Sequence, residues 1–181
     1  RICNMNKRII HTVFEQQASR LPQHIAIEEE NGRQISYREL NRMSNRLAGL
    51  LRHIGVTTDS VVSVVLPASI QLSASLLAIF KAGGVYMPVD LVFPRKQLLR
   101  MFTHTASRII ITSKALQQTV QSLVMELGLE PEYLLVMDDN GIRAGYWYHH
   151  QAFKEMSLNM LSLSDENPSL ISEPGDSNYV F

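Results

Sequence analysis

Apolar positions along this chain switch between two spacings, and the switches mark the elements. Val13, Phe14, Ala18 and Leu21 fall on one helical face before Pro22. Thr12 and Glu15 have the S/T-x-x-E form of a capping box, which predicts a short amphipathic helix opening at Thr12. IAIEEENGRQI then alternates about Asn31-Gly32. That dipeptide tolerates positive φ at both central positions of a tight turn, so a β-hairpin is expected over 25–35. Ser36 and Glu39 form a second capping box. Behind it Tyr37, Leu40, Met43, Leu47, Leu50, Leu51 and Ile54 recur every three or four residues up to Gly55, the clearest helix in the chain.

From about residue 60 the pattern becomes a repeating strand and helix. VVSVVL is a β-branched run without sustained polar alternation, as in a strand covered on both faces. IQLSASLLAIFKAGG follows as a mostly apolar helix. Pro94 opens another helix through Leu98, Met101 and Phe102, and RIIIT is the next strand. Leu116, Val120, Leu123, Val124 and Leu127 line a helix ending at Gly128, and YLLVM is a further strand. The fold class is therefore α/β: a partial, largely parallel open sheet flanked by helices, preceded by a helix and a β-hairpin. Between Asp138 and Asp176 the pattern is irregular, so turns and a mobile surface segment are expected, with SNYVF as a last strand.

Charge and composition remove several classes of function. Lys plus Arg number 17 and Asp plus Glu number 17, so no broad positive field is available for nucleic acid or anionic lipid. The single cysteine, Cys3, cannot close an internal disulfide or build a thiolate cluster. The longest apolar runs are too short to span a bilayer. A cytoplasmic protein is the expectation, and residues 1–10 read as a linker.

IFKAGGVYMPVD, at 79–90, invites a phosphate-loop reading, and its order argues against one. A phosphate loop places its lysine after the second glycine, where a helix begins. Here Lys81 precedes Gly83-Gly84, and the glycines stand where a helix finishes. His149-His150 is a poor chelate, because adjacent side chains diverge, and it reads as part of an aromatic surface patch. Asp138-Asp139-Asn140-Gly141 lacks the alternate ligand spacing of a calcium loop and reads as a turn. No G-x-S-x-G elbow is present, and Cys3 has no evident base.

FKAGGVYMPVD resembles the L-K-A-G-x-A-Y-[VL]-P-[LI]-D core motif of the adenylation domains of nonribosomal peptide synthetases, within the acyl-adenylate-forming superfamily. ISYRELNRMSNRLAGLLR is similar to the family's first core motif, [LI]-[TS]-Y-x-E-L. TVFEQQASRLPQHIAI, VVLPASIQLSASLLAIFKAG and FPRKQLLRMFTHTASRIIITS resemble the segments around these motifs, so the likeness runs from about residue 11 to the end. The scaffold residues it marks are Tyr37, Glu39, Leu40, Lys81, Ala82, Gly83, Tyr86, Pro88 and Asp90. Departures occur at Ala68, often basic in the family, at Leu91, commonly proline, and at His104-Thr105, usually an acid and a serine.

The resemblance implies an incomplete N-terminal subdomain. Residues 11–55 would belong to a sheet completed by strands downstream, and 56–181 to an α/β subdomain that stops before the phosphate loop, since PGDSNYVF resembles the strand leading into it. No catalytic, cofactor-binding or metal residue is then expected in the chain itself. The parent would be an amino-acid adenylating ligase using ATP and Mg and loading a carrier-protein thiol. Expected partners are the rest of that domain and neighbouring condensation and carrier-protein domains, with a homodimer as a further expectation for the isolated chain. The alternatives are a truncated adenylation domain acting as a scaffold, and the N-terminal part of an acyl-CoA ligase. A condensation domain is rejected: its H-H-x-x-x-D-G signature needs Asp and Gly where Lys154 and Glu155 stand.

Overall fold

The computed structural model describes residues 7–138, 141–148, 152–155 and 166–167. They fall into two compact units. One draws on Arg1–Ser60, Ala68–Val85 and Asn159–Tyr179, the other on Val61–Pro67, Tyr86–Leu158 and Val180–Phe181.

The first unit opens with α1 (Lys7–Arg20), which starts five residues before the expected Thr12, leaving Thr12 inside the helix and no cap. Its inward face also differs from the apolar stripe in the sequence. His11 and Ala18 are buried, whereas Val13 and Leu21 are 51% and 37% exposed. The stripe loses because Glu15, on the same face as His11 and Ala18, pairs with a buried cation.

β1 (Ile25–Glu28) and β2 (Gln34–Ser36) make a two-stranded antiparallel sheet. The turn corrects the sequence expectation. Only Gly32, at φ 84°, is left-handed, and Asn31 is not. Gly32 N–H donates to the Glu29 carbonyl and Glu29 N–H to the Arg33 carbonyl, both at 2.8 Å. This is a three-residue loop with glycine at its last position. The Asn31 side chain accepts from Arg33 N–H at 2.9 Å, a local bond that keeps Asn31 on the common side of φ.

α2 (Tyr37–His53) has both halves of the capping box: Ser36 Oγ accepts from Glu39 N–H, and the Glu39 carboxylate accepts from Ser36 N–H. Leu40, Leu47, Leu50 and Leu51 of α2 are buried, and α2 packs against α3 (Ile70–Ala82). Ser69 caps α3. A second acceptor also meets its start: Glu29, at the hairpin tip, takes the Ile70 N–H at 2.8 Å. A carboxylate at the positive end of a helix is stabilising, and this bond is the chief reason the Glu29 pKa lies below its ordinary 4.5. Because the folded pKa is lowered, this stability is present above pH 4.5 and lost as pH falls through the folded value. Glu29→Gln is expected to lower the denaturation midpoint at pH 6 and to match the parent at pH 3; equal deficits at both would overturn this.

The second unit is built on the sheet of β3 (Val61–Val65), β4 (Val85–Pro88), β5 (Ile109–Ser113), β6 (Tyr133–Asp138), β7 (Gly141–Tyr148) and β8 (Ala152–Glu155), in the order β4-β3-β5-β6-β7-β8. β3, β5 and β6 are parallel, in register at Val62 with Ile109 and Ile110 with Leu134. β4 runs the same way: Val85 N–H meets the Ser60 carbonyl and Val89 N–H the Val64 carbonyl. α4 (Arg95–Thr105) and α5 (Gln117–Glu126) supply Leu98, Phe102, Val120, Leu123 and Val124 to a core shared with Met87, Ile110, Leu134 and Val136.

The largely parallel α/β sheet matches the sequence reading, with one correction. Part of the stretch expected to be irregular is sheet, because β7 and β8 extend it antiparallel from Asp138 paired with Gly141 onward. Arg143 and Gly145 break the apolar alternation of β7, and pairing with β6 supplies the order its own pattern lacks. The His149-His150 pair, Asp139-Asn140 and SNYVF lie outside the described residues.

Candidate functional site

The strand order defines where the second unit can bind a ligand. β4 lies on one side of β3 and β5 on the other, so the winding reverses beside β3. Loops leaving the carboxyl ends of such strands diverge, and ligands of open α/β sheets sit in the gap. A cavity of about 710 Å³ lies there, within the range of small-molecule sites. Leu66 and Pro67 line it from the end of β3, Tyr86, Pro88 and Asp90 from β4 and its exit, and Ser113 and Leu116 from the end of β5.

Backbone and side-chain bonds fix this rim. Thr112 Oγ1 donates to the Val65 carbonyl at 2.9 Å, tying the ends of β3 and β5. Asp90 Oδ1 accepts from Val92 N–H at 3.0 Å, and its carbonyl from Phe93 N–H at 3.1 Å, closing the turn ahead of Pro94 and α4. Val64, Val65, Val89, Leu91, Phe93 and Ala115 add an apolar lining, and among the described residues Asp90 is its charged member. Such a surface suits an uncharged organic group. The Asp90 carboxylate among the described lining residues repels the phosphates of a nucleotide. Among the described residues no three His, Cys, Asp or Glu side chains gather as a metal site.

The other motif residues lie in the first unit. Glu39 caps α2, Leu40 is buried, and the Tyr37 ring packs on Phe14 with centroids 5.7 Å apart. Gly83, at φ 82°, ends α3, with Gly83 N–H on the Phe80 carbonyl and Gly84 N–H on the Ile79 carbonyl. These two bonds form the Schellman pattern. The glycines are a helix terminator, as their order in the sequence indicates. Ala82 is fully buried in the last turn.

Lys81 is the unexpected member. Its side chain is 0% exposed, and Nζ lies 3.0 Å from Glu15 Oε1, 2.8 Å from Asn41 Oδ1 and 2.7 Å from Asn45 Oδ1. An ammonium has three N–H donors; two go to the asparagine oxygens, and Glu15 supplies the counter-charge. The Glu15 contact is an ion pair rather than an aligned hydrogen bond. The Arg52 guanidinium donates to the Lys81 carbonyl at 2.8 Å, so a cation faces the negative end of α3. Burial pushes the Lys81 pKa down, and Glu15 raises it back in part. Burial also lowers the pKa of His11, opposed by Glu15 and reinforced by Lys81.

Glu15, Asn41, Asn45 and His11 are not marked by the motif reading. One signal for them was present: a lysine on an otherwise apolar helix needs buried acceptors, and Asn41 and Asn45, four apart on α2, provide them.

The strand order and the crevice define an open, largely parallel α/β sheet whose winding reverses beside β3. The chain belongs to the AMP-binding enzyme family, whose pattern matches residues 14–176. Tyrocidine synthase 1 of Brevibacillus parabrevis is 39% identical over 135 residues, 75% of this chain and 12% of that protein. The nonribosomal peptide synthetase FmoA3, in its α-methyl-L-serine-AMP-bound form, superposes with a TM-score of 0.71 at 24% identity over 94% of this chain and 16% of its own. ATP-bound MatB of Rhodopseudomonas palustris gives 0.64 at 20% over 93% and 31%. At these identities the structural likeness is one of fold. No helix among the described residues is long and apolar enough to cross a membrane.

Proposed function

We propose that this chain is part of the amino-acid-activating adenylation domain of a cytoplasmic peptide synthetase. In the parent reaction an amino-acid carboxylate attacks the α-phosphate of ATP, pyrophosphate leaves, and the aminoacyl group then passes to a carrier-protein thiol with release of AMP. The observation that carries this reading is the course of FKAGGVYMPVD. It ends α3 on a buried lysine and a Schellman turn, then runs as Tyr86–Asp90 into the crevice beside β3. The 39% identity to Tyrocidine synthase 1 supports the peptide-synthetase branch.

In this reading Tyr37, Glu39, Leu40, Lys81, Ala82, Gly83, Tyr86, Pro88 and Asp90 hold the scaffold in shape, and other residues of the parent bind ATP and Mg. Strands from elsewhere in the parent complete the two-stranded sheet of β1 and β2, and condensation and carrier-protein domains are its neighbours.

Pyrophosphate exchange into ATP tests it, with a panel of amino acids, on the 181 residues alone and on the intact protein. Amino-acid-dependent exchange is expected from the intact protein and none from the 181 residues. Exchange driven by carboxylic acids without an amino group, with thioester formation on coenzyme A, would favour an acyl-CoA ligase. Absence of exchange from the intact protein would leave a scaffold. Activity of the 181 residues alone would overturn the assignment of the chemistry to other residues.

A further inference from the structure

The buried lysine organises more than the helices around it. Lysine donates hydrogen bonds and accepts none, so each asparagine facing it must present its carbonyl oxygen. Asn41 and Asn45 both do so, which forces both amide NH2 groups outward. There they converge on one atom: Asn41 Nδ2 donates to Asn167 Oδ1 at 2.9 Å and Asn45 Nδ2 donates to the same oxygen at 3.0 Å. Lys81 and Asn167 are thus linked through two parallel amides. Residues 41 and 45, one helical turn apart, lie side by side on α2 as this requires.

We propose that Lys81 is a positioning residue for the chain at Asn167, its charge relayed through Asn41 and Asn45 so that α2 clamps the Asn167 side chain. A cation on one side of an amide polarises it and strengthens its N–H groups as donors on the other. The clamp has a fixed polarity: position 167 must offer an acceptor. Asn167 also lines a polar recess of about 340 Å³ with Glu15, Thr12 and Arg20 of α1, so the clamp closes beside the lysine's own counter-ion. This goes beyond the proposed adenylation chemistry and does not depend on it.

Hydrogen exchange of the intact protein, followed by mass spectrometry in peptides covering residue 167, α2 and α3, tests the polarity. Asn167→Ala removes two hydrogen bonds and is expected to speed exchange around 167 on the order of tenfold, leaving α2 and α3 unchanged. Asn167→Asp offers acceptors only, so it is expected to slow exchange there below that of the parent. With Asn45→Asp in place, position 45 no longer donates, and the same Asn167→Asp change is expected to reverse sign and speed exchange. Lys81→Met frees both amides to turn and should abolish the benefit of Asn167→Asp.

Since Asn167→Asp and Asn45→Asp both keep Lys81, a failure of Lys81→Met to fold leaves the test intact. Faster exchange in Asn167→Asp alone would overturn the proposal. So would a slowing that persists unchanged beside Asn45→Asp. None of these readouts involves ATP, so failure of the adenylation reading would leave them as they are.

Discussion

Lys81→Met is expected to cost about 3–5 kcal/mol of folding stability, the range for removing one partner of a buried ion pair. Methionine keeps most of the volume and stays apolar, so the loss is not one of packing. The Glu15 carboxylate, 18% exposed, loses its cation, and the oxygens of Asn41 and Asn45 lose their donor. The double change Glu15→Gln with Lys81→Met leaves no uncompensated charge and is expected to regain more than half of the loss, a coupling of the size seen between contacting residues. Urea denaturation of the four proteins in this cycle measures it. A single variant within about 1 kcal/mol of the parent would mean that water, rather than Glu15 and the asparagines, satisfies the ammonium.

The glycine pair gives the second large effect, and the two members fail for different reasons. Gly83 is left-handed at φ 82°, where a Cβ meets the following carbonyl, so Gly83→Ala should cost about 1–2 kcal/mol. Gly84 is set by space instead. A Cβ there would stand 3.0 Å from Val56 Cγ1 and 3.2 Å from the Ser60 carbonyl oxygen. The valine methyl can swing aside, but the carbonyl cannot, since it accepts the Val85 N–H that begins the pairing of β4. Gly84→Ala is expected to cost about 1–3 kcal/mol as an overpacked site, and Gly84→Val more. Thermal denaturation separates them, because only the Gly84 variants should improve when Val56 is shortened to alanine.

That contrast shows what could be read in the sequence. A lysine and two glycines behind an apolar run announce a helix end, and both glycines serve it through their N–H groups. The second requirement on Gly84 comes from Val56 and Ser60, more than twenty residues earlier, and no local pattern encodes it. The capping box at Ser36 and Glu39 was legible because its partners are three residues apart. The one at Thr12 was misleading, since the same letters occur inside helices and α1 extends back to Lys7. The inward face of α1 was obscured because Glu15 faces a lysine 66 positions away. The crevice was half legible: Tyr86, Pro88 and Asp90 carry a motif, whereas Leu66, Pro67, Ser113 and Leu116 join them only through the order of the strands.

The interleaving of the two units bears on how the chain can be rearranged. α3 lies between β3 and β4 in sequence yet belongs with α2, and the first unit takes up the chain again at Asn159. Neither unit is one uninterrupted stretch, so no single cut in a gene yields either alone. Exchange of segments with a relative would therefore have to carry Glu15, Asn41, Asn45, Lys81 and Asn167 together. A chimaera joined between Asn45 and Lys81 would give the lysine of one parent to the acceptors of the other, and its fitness would depend on whether those acceptors match.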